Sequence, residues 1–81
     1  MNNEDIELLE DLLLLALLNK EVDETLSDTI NILVQGKALS FDEAKEIVKN
    51  LQTKGAIVDN NLSFLGISLA NKAKEKFQLN K

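Results

Sequence analysis

Six residues in one short stretch carry side chains suited to nucleic acid: Lys45, Lys49, Asn50, Gln52, Thr53 and Lys54. An ammonium neutralises a phosphate, and a carboxamide or hydroxyl can hydrogen-bond a base edge, so this mixture on one helix suits a DNA groove. Other charges in the stretch oppose that use. Asp42, Glu43 and Glu46 offset Lys45, Lys49 and Lys54, and the Asp42–Lys45 and Glu46–Lys49 spacings allow pairing along the helix itself. All nine basic residues are Lys, so no planar fork is present to grip guanine or phosphate through two hydrogen bonds.

Other chemistry is largely excluded. The chain has neither His nor Cys. That removes Ser–His–Asp and Cys–His nucleophiles together with ordinary zinc, iron–sulfur and haem ligation. The fourteen carboxylates are plentiful, but no spacing marks a convergent catalytic pair. The expectation is a protein that is not an enzyme and has no cofactor or metal.

The elements that position these residues follow from length and pattern. Eighty-one residues make a single domain, 1–81, with a small core and no disulfide. The hydrophobic fraction is 44%, mostly aliphatic, and the absence of Pro with only three Gly favours helices joined by short connections. The net charge of −5 is uneven: residues 1–40 hold nine acids against two Lys, and residues 41–81 hold five acids against seven Lys. The apolar run Leu12–Leu18 is seven residues long, well below the roughly 20 that span a bilayer. Acids precede it, unlike the basic start of a signal peptide, so no membrane is expected and the cytoplasm is the default compartment.

The first helix is predicted from Asn3, as N-cap, to Asn19. Ile6, Leu8, Leu9, Leu12, Leu13, Leu15, Ala16 and Leu17 fill a broad apolar arc, with Glu7, Glu10 and Asp11 on the other side. Leu14 and Leu18 fall on that acidic side, one turn apart. They read either as singly exposed leucines or as the interface of a homodimer formed through the first helix. In that dimer, the acids brought together across the axis would be relieved if the helices cross antiparallel, or if Lys20 or the C-terminal Lys72 and Lys76 lie opposite.

A second helix starts after a cap at Asp23 and carries Leu26, Ile30, Leu33 and Val34. Gly36 supplies a left-handed end. Ser40-Phe41-Asp42-Glu43 is a capping box, which starts a third helix over Phe41–Lys54 with Ala44, Ile47, Val48 and Leu51 inward. Gly55 ends it. Ala56-Ile57-Val58 is a β-type run, Asp59-Asn60-Asn61 is turn chemistry, and Leu62 lies in a return strand. Ser63 then caps a last helix with Leu65, Leu69, Ala73 and Phe77 at steps of four. The fold class is mainly α with a minimal β-hairpin, in the order helix-helix-helix-hairpin-helix.

The run Ala44 to Ile57, ending Leu51-Gln52-Thr53-Lys54-Gly55-Ala56-Ile57, resembles a winged-helix recognition helix passing through "Leu-x-x-x-Gly-x-Ile" into the wing. Leu62-Ser63-Phe64-Leu65-Gly66-Ile67-Ser68-Leu69-Ala70 resembles the "Leu-Thr-x-x-Gly-x-x-Leu/Ala" segment that closes the wing in small bacterial and archaeal regulators. The resemblance implies a winged helix-turn-helix domain and a small DNA-binding transcriptional regulator, or a DNA-associated accessory protein, on double-stranded DNA. Lys45, Lys49, Asn50, Gln52, Thr53 and Lys54 would form its DNA face. The alternative is a protein–protein interaction module on the same scaffold, without DNA, whose acidic N-terminal half could steer a basic partner.

Overall fold

A computed structural model describes the chain from residue 3 to residue 79, with side chains from 6 to 77. Its elements are α1 (Asn3–Leu18), α2 (Leu26–Gln35), α3 (Phe41–Thr53), β1 (Ile57–Val58), β2 (Asn61–Leu62) and α4 (Phe64–Leu79). The chain is mainly helical, with one small antiparallel sheet in which Ile57 pairs with Leu62 and Val58 with Asn61. No described helix is long and apolar enough to cross a membrane.

Short-range hydrogen bonding sets most helix ends. At α3, the Ser40 hydroxyl accepts from the Glu43 amide at 3.1 Å, and the Glu43 carboxylate accepts from the Ser40 amide at 2.8 Å, closing the expected capping box. The second helix starts later than expected. Thr25, not Asp23, is its cap, with Thr25 and Asp28 closing a second capping box at 3.1 and 3.0 Å. Asp23 has Leu26 three residues on and so has no carboxylate to answer it. The suggested cap at Asn3 concerns a side chain outside the described ones.

Gly36 is also not the left-handed residue. Its φ is −78°, and Lys37 takes the positive value of 61°. The Ala38 amide reaches the Leu33 carbonyl and the Lys37 amide reaches that of Val34, the pair of bonds that ends a helix around a left-handed residue. The helix runs one residue further before it turns, so the strained position falls on Lys37. After α3 the same bond pattern centres on Gly55, as expected, at φ +81°. Asp59 and Asn60 both have positive φ, 53° and 67°, which makes the tight two-residue turn that matches the twist of a hairpin. Asn61, expected in the turn, lies in β2.

The core joins Leu13, Leu14 and Leu17 of α1 to Leu26 of α2, Ile47 and Leu51 of α3, the Ala56–Ile57 corner and Ala70 of α4. Along α4 the buried residues are small: Gly66, Ala70 and Ala73. They let α1 lie close against it. The expected row at steps of four is only partly inward, because each step of four drifts about 40° around the helix. Leu65 and Phe77, at its two ends, are exposed.

The rotation of α1 departs most from expectation. Leu14 is 3% exposed and Glu10 8%, whereas Leu8, assigned to the inner arc, is 53% exposed. Leu12, Leu15 and Ala16 are half-buried. The acidic side of α1 therefore faces the other helices. Leu14 belongs to the core of its own chain, and Leu18 is half-buried and packs against that core. Leu14 is therefore not surface open to a second chain, and Leu18 is only partly so. The acids beside them are matched within the chain, by lysines from α3 and α4.

Candidate functional site

The six residues assigned to a DNA face all lie on α3 or at its C-terminal cap, but only some are available to a ligand. Lys45, Lys49, Gln52, Thr53 and Lys54 are exposed, but the last two are already engaged. Asn50 is half-buried, and the Thr53 hydroxyl donates to the Lys49 carbonyl at 2.9 Å. Lys54, about half exposed, donates to Glu10 at 2.6 Å. The Asp42–Lys45 and Glu46–Lys49 pairs are not among the salt bridges of the described residues. Lys45 instead stands over the Phe41 ring, 5.7 Å from its centroid, and a fully exposed ion pair gains little in water to compete with that. With Lys54 committed, α3 offers Lys45 and Lys49 against Asp42, Glu43 and Glu46. Its outer face carries no net positive field.

A cleft of about 370 Å³ opens between α1, the end of α3 and α4. Its floor is apolar: Ile6, Leu14, Leu51, Leu69 and Ala73. One wall carries the α1 acids Glu7, Glu10 and Asp11, and the facing wall carries Lys54, Lys72 and Lys76. Lys54 meets Glu10 at 2.6 Å, while Lys76 is shared between Glu7 at 3.1 Å and Asp11 at 3.2 Å. The carboxylates of Glu10 and Asp11 are largely buried and that of Glu7 is exposed. Hydrogen bonds from Lys76 to Glu7 and then Asp11, reinforced by their charge, hold the Lys76 ammonium above the ordinary lysine pKa.

Sequence reasoning did not find this cleft, although part of its signal was present. Glu7 and Asp11 stand four apart on α1, and Lys72 and Lys76 stand four apart on α4, so each pair lies on one helix face. The sequence sets these lysines against the acids only across a dimer; the structure joins Lys76 to Glu7 and Asp11 within one chain.

A third feature is apolar surface. Leu8, Leu12 and Leu15, at steps of four and three, form a stripe on the side of α1 turned away from the core. At the start of α4, Phe64 is 94% exposed, and Leu65 and Ile67 are exposed beside it in sequence. Val58 of β1 is exposed as well. Against known proteins, no family model, curated protein or solved structure matches the chain.

Proposed function

We propose that this chain is a protein-interaction module on a winged-helix-type scaffold, working as a homodimer joined through the outer face of α1. The observation that carries the reading is the Leu8–Leu12–Leu15 stripe on the outer side of α1, exposed at Leu8 and half-buried at Leu12 and Leu15. A twofold contact needs only a self-complementary patch, and an apolar stripe complements itself. The charge objection to pairing two acidic helices is also reduced. Glu10 is matched by Lys54 of its own chain, and Glu7 and Asp11 share Lys76, so one negative charge per chain stays in excess.

DNA-associated regulation is the second reading. It is supported by the order of three helices, hairpin and final helix, and by the uncovered Lys45, Lys49 and Gln52 on α3. The missing net positive field on α3 and the acidic chain place it second.

Two measurements on the same sample separate these readings. Sedimentation equilibrium should give a dimer at high micromolar concentration, and a Leu8→Gln, Leu15→Gln variant should give a folded monomer. A strictly monomeric wild type removes the first reading. Titration with double-stranded DNA at low salt should give no binding. Binding that weakens steeply with added salt and disappears in a Lys45→Glu, Lys49→Glu variant would establish the second reading instead.

A further inference from the structure

We infer that the cleft between α1, α3 and α4 is a binding site for a small zwitterion with an aliphatic body, the chemistry of an apolar α-amino acid. Charge and shape both point that way. The carboxylates Glu7, Glu10 and Asp11 all lie on the α1 wall; Lys54 from α3 and Lys76 from α4 reach across to them, and Lys72 lines the cleft from α4. Lys54 and Glu10 cancel at 2.6 Å. Lys76 serves both Glu7 and Asp11, so that trio keeps one negative charge in excess. Lys72, one turn before Lys76 on α4, is in no salt bridge among the described residues. The cleft thus has one unmatched negative charge and one unmatched positive charge on opposite walls.

A dipolar ligand satisfies both. Its ammonium meets the Glu7–Asp11 carboxylates and its carboxylate meets Lys72. A simple anion would gain Lys72 but face the acidic trio, and a simple amine would face the reverse. Between the two charges, the floor offers the half-buried Ile6 and Leu69, over the buried Leu14 and Leu51, to an aliphatic side chain. The cleft, at about 370 Å³, lies at the small end of small-molecule sites, which run from roughly 300 to 1,000 Å³. That suits a ligand of few atoms.

The test is an amide-resolved NMR titration of the whole chain with L-leucine. Parallel titrations use 4-methylpentanoate, which lacks the amine, 3-methylbutylamine, which lacks the carboxylate, and glycine, which lacks the body. Leucine should give saturable shifts at the amides of Leu14, Leu69 and Lys72. Each of the other three compounds should bind about tenfold more weakly or worse, the usual cost of one missing charge-assisted or apolar contact. Lys72→Gln should weaken leucine by a similar factor and leave the ligand-free spectrum near wild type, because Lys72 is exposed. No saturable shift up to ~10 mM leucine, beyond the millimolar range of the weakest useful sites, overturns the proposal. So does equal binding of 4-methylpentanoate, or leucine binding that Lys72→Gln leaves unchanged.

Discussion

The carbonyl oxygen of Ala56 lies only 2.1 Å from where a β-carbon on Gly66 would stand. The first turn of α4 rests on the corner that leaves α3. That carbonyl already accepts the Ser63 amide at 2.9 Å. The Ser63 hydroxyl donates to the Gly55 carbonyl at 2.5 Å and accepts from the Gly66 amide at 3.1 Å. One serine and one glycine thus join the end of α3, the hairpin and α4 into a single unit.

Gly66→Ala should therefore destabilise the fold by about 3 kcal/mol, since the added methyl meets backbone that cannot swing aside. Urea unfolding checks it. A loss below about 0.5 kcal/mol, the range of ordinary surface changes, would mean the junction is looser than described.

The caps give a paired comparison. Ser40→Ala and Thr25→Ala should each cost about 1 kcal/mol, because each removes a side-chain acceptor from an otherwise unpaired helix amide. Asp23→Ala should be close to neutral. Equal losses for Asp23 and Thr25 would restore Asp23 as the cap of α2.

Lys76 predicts a pH dependence in the alkaline range. Its pKa is raised in the folded chain, so its contribution is present in full below the unfolded lysine value of about 10.4. It is lost as pH rises through the higher folded value. The unfolding midpoints of wild type and Lys76→Met should differ by a constant amount through neutral pH and converge in strong alkali. A difference that vanishes on acidification towards pH 7 would contradict the assignment.

The inward turn of α1 predicts opposite outcomes for two leucines about one and two-thirds turns apart. Leu14→Ala should cost about 2–5 kcal/mol, the range for a buried leucine, and Leu8→Gln should leave monomer stability within about 0.5 kcal/mol. Far-ultraviolet circular dichroism through a thermal melt, at a concentration below dimerisation, distinguishes them. Comparable losses would mean that both faces of α1 are buried.

The sequence alone determined the features whose causes lie within a few residues. Ser40 and Glu43 close a box three positions apart, Gly55 takes the left-handed turn after α3, Asp59-Asn60 folds the hairpin, and Ser63 caps α4. These interactions need no distant partner, so residue type and spacing specify them. Tertiary structure decided the rotation of α1. That helix has leucines on nearly every side, so its own pattern left its inner face open. The choice came from Lys54, Lys76 and the small residues of α4. The lysines reach Glu10, Asp11 and Glu7 from 44, 65 and 69 positions away, and Gly66, Ala70 and Ala73 accept the side of α1 that carries those acids. Turning the acids inward towards matched lysines satisfies three carboxylates and buries Leu13, Leu14 and Leu17 together, while Leu8 is left in water. Periodicity within one helix contains no information about a lysine at the other end of the chain.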